Sequence, residues 1–182
     1  MRNLFFFGMI ALSSLWLASC ASNNVSYDYD KSFDFNQLKT YSYYTDNLIQ
    51  LNQIDSVNFM RTLDGVLQSK GLIRKVLDPD VYVSVKVDNA AGSKTSTLGL
   101  GVGGGSGWLG VGTSIGIPIS SKVMNYAIQI DIDNAANKQL IWTTRSDKTT
   151  SYNASTDAKS GFYKTTLDVM FKNFPAGEKA VR

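Results

Sequence analysis

Few residues of this chain can do chemistry, and their scarcity narrows the options. Cysteine occurs once, at Cys20, histidine is absent, and glutamate occurs once, at Glu178. Without histidine there is no Ser-His-Asp triad, no Cys-His pair and no imidazole metal site. Catalysis here would fall to Asp, Lys, Tyr, Ser or Thr, with paired carboxylates as the main option. Asp131 and Asp133 are two residues apart, which puts both on one face of a strand. Joined by another strand carboxylate about 5–10 Å away across a cleft, Asp131 would suit glycoside hydrolysis. As a calcium loop the same pair fails. An EF-hand needs a ligand, a glycine and a glutamate at its fifth, sixth and twelfth positions. Those positions hold Ala135, Ala136 and Trp142. A solvated strand face ending in an Asx turn at Asn134 is the simpler account.

Two further constellations carry alternatives. Tyr27, Tyr29, Tyr41, Tyr43, Tyr82 and Tyr152 fall on predicted strands. Tyrosines in a groove stack on sugars or grip a partner, yet tyrosine is also simply a good strand residue. Gly105-Ser106-Gly107-Trp108-Leu109-Gly110 matches G-x-G-x-x-G. A nucleotide loop of that kind must open a helix, whereas the residues that follow are strand-like and glycine-rich. No residue is assigned a catalytic, cofactor-binding or metal-ligating role, and no cofactor is expected.

The cysteine gains meaning from what precedes it. Arg2 is followed by an uncharged apolar run from Leu4 to Leu17, then by Ala18-Ser19-Cys20. A basic start, an apolar stretch and small residues make a secretory signal peptide, predicted over residues 1–19. The run falls short of the roughly 20 residues a membrane-spanning helix needs. Leu17-Ala18-Ser19-Cys20 resembles the lipobox of bacterial lipoproteins, in which the cysteine sulfur is diacylated and becomes the new N-terminus. That resemblance implies lipidation at Cys20. Residues 20–24 are then a lipidated tether, 25–175 a single α+β domain and 176–182 a disordered tail.

Of 182 residues, 43% are hydrophobic and 18% charged, as in folded globular chains. A formal net charge of +3, without any basic cluster, does not predict nucleic-acid binding.

The elements that position these residues follow from periodicity. Val25, Tyr27 and Tyr29 alternate with aspartates, and Thr40–Tyr44 reads as a second strand. Ile54, Val57, Met60, Leu63 and Leu67 recur at helical spacing, and Gly71 stands where a helix C-cap belongs. Val81, Val83, Val85 and Val87 alternate with polar residues as a half-buried strand. Met124 to Thr150 reads as a long hairpin turning at Asn134–Asn137, with Tyr126, Ile128, Ile130 and Ile132 on one face. Tyr163, Leu167, Met170, Phe171 and Phe174 form the stripe of a last helix, stopped by Pro175. This order predicts an α+β fold: an antiparallel β-sheet with two helices on one face, plus a glycine-rich β-hairpin.

That hairpin is the most unusual stretch. Between Thr95 and Ser121 there is no charge, and glycine occupies positions 99, 101, 103, 104, 105, 107, 110, 112 and 116. Leu98, Leu100 and Val102, then Leu109, Val111, Thr113, Ile115 and Ile117, alternate with glycine or serine. A membrane-spanning ribbon is disfavoured because two strands leave their edges unpaired in lipid. Two readings stay open: a hairpin whose apolar face covers the sheet, and shallow contact with a membrane surface or partner. An uncharged ribbon with an exposed edge is an aggregation hazard, so something should cover it.

Taken in order, several segments resemble the lipoproteins of domain-of-unknown-function family 4136. They are Val25-Ser26-Tyr27-Asp28-Tyr29-Asp30, Phe33-Asp34-Phe35, Leu38-Lys39-Thr40-Tyr41, and Gly71-Leu72 before Pro79-Asp80-Val81-Tyr82-Val83. The glycine-rich middle, Ile130-Asp131-Ile132-Asp133, Lys138-Gln139-Leu140-Ile141-Trp142 and Phe174-Pro175 complete the set. The resemblance implies a lipid-anchored α+β envelope domain and brings no catalytic residue or ligand. Ala21, rather than aspartate, follows the cysteine, which in well-studied lipoprotein sorting is an outer-membrane address. The expectation is a non-catalytic binding or scaffolding module on the outer membrane, facing the periplasm. Its expected partners are the membrane through its anchor and an envelope protein or peptidoglycan. Leu109, Val111, Tyr27, Tyr29, Tyr41 and Tyr43 are the candidate contact residues. A carbohydrate-active hydrolase using an Asp pair, or a glycan-binding module, is the alternative.

Overall fold

The computed structural model describes residues 25–100 and 115–174. Cys20, the tether, Leu109, Val111, Pro175 and the predicted tail lie outside the described residues. In chain order the elements are β1 (Val25–Tyr29), a 3-10 turn (Phe35–Gln37), β2 (Thr40–Tyr43), β3 (Leu48–Ile49), α1 (Gln53–Ser69) and β4 (Ile73–Arg74). Then come β5 (Val81–Leu100), β6 (Ile115–Asn134), β7 (Leu140–Ser151) and α2 (Thr156–Met170).

The strands form one open sheet in the order β1-β7-β6-β5-β2-β4, with β3 also on β5. The fold is α+β, as expected. Its main ladder, β1-β7-β6-β5, is antiparallel. The short strands differ from the expectation of an all-antiparallel sheet: β2 and β3 join β5 in parallel, and β2 pairs β4 in parallel. Such strands, two to four residues long, take their direction from tertiary contacts that local periodicity does not encode.

The valine and isoleucine alternations pair as a buried face. Val83 stands opposite Ile132, Val85 opposite Ile130 and Val87 opposite Ile128, all 0–1% exposed. Trp142, Thr144 and Ser146 of β7 continue that face, and both helices cover it. Tyr163, Leu167 and Met170 of α2 are buried, as their spacing predicts; the helix ends at Met170, short of the expected stop at Pro175, and Phe171 and Phe174 are buried in the turn beyond it.

The stripe of α1 is rotated from its expected phase. Asp55, Phe59, Leu63, Val66 and Leu67 point inward, whereas Ile54 is 67% and Val57 51% exposed. An aspartate leads the buried stripe because a lysine of α2 neutralises it. The helix is capped by Asn52, whose side chain accepts from the Asp55 N–H. It ends as expected at Gly71, which holds φ 87° while the Leu72 N–H bonds back to Leu67.

Candidate functional site

The described ends of the glycine-rich segment belong to two long strands of the sheet. β5 and β6 each run 20 residues, and their ladder is unbroken from Val81–Asn134 to Leu100–Ile115. The third strand, β7, ends at Ser151 opposite Val123. On the other side, β2 and β3 leave β5 after Val87. Beyond the Gly92–Val123 pair the two strands therefore continue as a ribbon with no further strand beside them among the described residues. The described part extends the sheet rather than covering it. Ser93 to Ser96 and Ile119 to Lys122 are exposed, Ile119 at 46%. Lys94 and Lys122 are the last charges before the uncharged stretch.

Where the arm begins, Gly92 leaves room for the exposed side chain of Asn125. A Cβ on Gly92 would lie 2.4 Å from the Asn125 amide nitrogen, so the bare backbone lets Asn125 lie across the strand.

The four tyrosines expected at a contact surface all sit on the helix-covered face. Tyr41 is fully buried, and its hydroxyl donates to Asp64 of α1 at 2.6 Å. Tyr43 donates to the same carboxylate oxygen at 2.8 Å. Burial, reinforced by Asp64, pushes both hydroxyls well above the usual tyrosine range. The Arg74 guanidinium, 3.7 Å from Asp64 and 5.1 Å from the Tyr43 ring centroid, closes the cluster. Tyr41 and Tyr43 thus lock α1 to the sheet. Tyr27 and Tyr29 stack beside Trp142, with Tyr27–Trp142 centroids 5.2 Å apart. Of these four, Tyr27, on the edge strand, is the most available to a partner at 41% exposed.

Among the described residues the opposite face of the sheet carries no helix and is polar. Asp131 accepts from Thr143 at 2.6 Å and from Gln129 at 3.0 and 3.1 Å, with the Lys86 ammonium 3.7 Å away. Asp133 accepts from the Tyr44 hydroxyl at 2.9 Å. Burial and Asp133 push that hydroxyl up to about 12. Tyr44 stacks on Tyr82, over which the Lys138 ammonium sits 3.7 Å from the centroid. Both carboxylates of the proposed acid–base pair are therefore engaged by neighbours that fix them in place. A shallow cavity of about 260 Å³ near Lys86, Gln129 and Arg145 lies on this face. Among the described residues no group of three or more Cys, Asp or Glu is placed to hold a metal.

Sequence reasoning missed Asp64 and the Asp55–Lys159 pair. Neither carries a local signal, since the partners lie 21 to 104 residues away.

A family model described as a domain of unknown function, DUF4136, matches residues 25–176, and the chain belongs to that family. Among solved structures, it resembles a PDZ domain protein from Parabacteroides distasonis with a TM-score of 0.55 and 10% identity. The match covers 86% of this chain and 36% of that protein, so this chain spans about a third of its length. It also resembles a variant PelC dodecamer from Paraburkholderia phytofirmans, with a TM-score of 0.51 and 9% identity, over 85% of this chain and 98% of that one. At such identities the likeness is one of fold. No curated protein sequence matches the chain significantly.

Proposed function

We propose that this DUF4136 member is an outer-membrane lipoprotein facing the periplasm, where it acts as a non-catalytic binding or scaffolding module. The observation that carries this reading is Leu17-Ala18-Ser19-Cys20 placed just before the first strand at Val25. A diacylated Cys20 with an acylated amine supplies the several hydrophobic signals that stable attachment needs. The chain from Cys20 to Val25, fully extended, spans about 17 Å, which keeps the domain close to its membrane. The chemistry-bearing side chains support a role without catalysis, because Asp55, Asp64, Asp131 and Asp133 all serve internal contacts. What remains for a partner, an envelope protein or peptidoglycan, is the β5–β6 arm and the edge strand bearing Tyr27.

The test is Cys20→Ala. The variant should leave the membrane fraction and lose incorporation of a palmitate label. Unchanged sedimentation with membranes and no label on the wild-type protein would overturn the anchor. Crosslinking in the native envelope then separates a protein partner from peptidoglycan.

A further inference from the structure

The chain enters the sheet at the end from which the arm leaves. β1 and β6 both run antiparallel to β7, so they run parallel to each other. Val25, where β1 begins, is level with Ser146, then Ile128, then Val87. From Val87 the described part of β5 continues outward to Leu100, about 43 Å at 3.3 Å per residue. From Val25 the tether can reach back to Cys20 by only about 17 Å, roughly level with the Gly92–Val123 pair. A tether that runs on from β1 therefore brings the anchor only part-way along the arm. The arm outreaches it by about 26 Å.

The charge pattern changes at that same level. Lys94 and Lys122 follow it, one on each strand, and the sequence from Thr95 to Ser121 carries no charge. Along this ladder Leu98 pairs with Ile117 and Leu100 with Ile115, whereas Gly99 pairs with Gly116. By register, Leu98, Leu100, Ile115 and Ile117 fall on the same side of the ladder as Ser96 and Ile119. The other side begins at Thr95 and Ser120, whose hydroxyl oxygens lie 3.3 Å apart.

Resting on the anchor reading above, we infer that the described arm, Gly92–Leu100 with Ile115–Val123, lies on the headgroup interface of the membrane that holds the Cys20 acyl chains. Its Leu/Ile side is turned to the lipid, and Lys94, on that same side by register, meets phosphates. The seating is shallow because, among the described residues, no strand pairs with either edge of the ribbon, whose N–H and C=O groups need other partners. In hydrocarbon each costs several kcal/mol, but water and phosphates satisfy them at the interface. The uncharged ribbon is covered by lipid, which also removes the edge hazard.

The experiment uses the acylated full-length protein, in which the Cys20 sulfur is blocked and an introduced cysteine is the one free thiol. Ser96→Cys, Thr95→Cys and, in the β6–β7 turn at the far end, Ala136→Cys are each labelled with an environment-sensitive fluorophore. They are reconstituted in phosphatidylethanolamine–phosphatidylglycerol vesicles carrying nitroxide lipids. The label at position 96 should shift to the blue and be quenched more by nitroxide near the headgroup than by nitroxide deep in the chain. The label at 95 should be quenched less, and the label at 136 not at all. Emission at 96 equal to that at 136 would overturn the seating. So would disulfides between position 96 of two copies of the unlabelled variant, together with no lipid quenching of the labelled one, which would make a second copy the occupant. The mass of the Cys20 peptide reads the anchor independently. Acylated Cys20 with a water-like signal at 96 removes the arm inference alone, whereas unacylated Cys20 removes both.

Discussion

The Lys159 ammonium of α2 lies 2.7 Å from the Asp55 carboxylate in the first turn of α1, across 104 residues of sequence. Asp55 is 5% exposed and also accepts from the Asn52 side-chain amide at 2.8 Å. Its position at a helix N-terminus adds favourable dipole interaction. The pair is the polar link between two helices otherwise joined by apolar packing.

Removing the lysine should therefore cost more than the pair is worth, because a buried carboxylate is left uncompensated. Lys159→Met is expected to destabilise by about 2–4 kcal/mol in urea unfolding. Asp55→Leu combined with Lys159→Met should recover most of that loss. The hydrogen bond to Asp55 outweighs burial and raises the lysine above its ordinary 10.5. The sign follows: this contribution is complete below 10.5 and is lost as pH rises through the raised folded-state value. The gap between wild type and Lys159→Met should narrow in strongly alkaline buffer.

Asp64 carries a second link, holding the hydroxyls of Tyr41 and Tyr43 on one oxygen. Asp64→Ala strands both, and at about 1–3 kcal/mol per unsatisfied hydroxyl the loss should be about 2–6 kcal/mol. Asp64→Asn keeps an acceptor and should lose less than half as much. Both tyrosines are raised above the ordinary 10.0, first by burial and then by Asp64. Stability from this cluster is thus full below pH 10 and falls as pH rises toward the folded-state values. In an alkaline titration the tyrosinate absorbance of these two should appear together with loss of the circular dichroism of the fold.

What could be read ahead of the structure, and what could not, divides along range. The alternations at Val81–Val87 and Tyr126–Ile132, and the stripe from Tyr163 to Phe174, were legible because each is a local period set against one buried face. The phase of α1 was not, because Ile54 and Val57 match the helical period equally well and only Lys159 makes burial of Asp55 tolerable. The length of β5 and β6 was obscured by glycines that weaken any local strand signal. Nothing local set Tyr27, which lies 41% exposed on the edge strand, apart from the other strand tyrosines. Tyr41 and Tyr43 looked the same in sequence, and only the approach of Asp64 turns them inward.

Glycines at three positions should respond in opposite directions to the same substitution. Gly71 holds φ 87°, so Gly71→Ala should cost about 1–2 kcal/mol. Gly65 and Gly161 lie inside α1 and α2, and a Cβ at either meets nothing within 4 Å. Gly65→Ala and Gly161→Ala should each stabilise by about 0.5–1 kcal/mol, since alanine favours the helix and restricts the unfolded chain. Thermal unfolding of the three variants checks the sign at each site. A rise for Gly71→Ala would contradict the left-handed cap.

Asp80 explains why β2 lies parallel to β5, and it sets the acid limit of this edge of the sheet. One of its carboxylate oxygens accepts from the Lys39 N–H at 2.9 Å, the Thr40 N–H at 2.8 Å and the Thr40 hydroxyl at 2.9 Å. Its own N–H donates to the Thr40 hydroxyl oxygen at 3.0 Å. The start of β2 is thereby clamped to the start of β5, where Tyr41 pairs with Val81. Burial alone would raise the Asp80 carboxyl, but these donors, with Lys75 nearby, hold it below its ordinary 3.8. A lowered folded-state value means the clamp contributes fully above pH 3.8 and is lost as pH falls through that lower value. Asp80→Ala should cost about 1–3 kcal/mol at neutral pH, and Asp80→Asn less, because an amide oxygen still accepts but without charge. The cost of Asp80→Ala should shrink when urea unfolding is repeated well below pH 3.8. Hydrogen exchange adds the location: protection should fall first at the amides of Lys39 and Thr40, before the β5–β6 ladder responds. An equal loss of protection along β6 and β7 would show that the clamp supports the whole sheet rather than this edge.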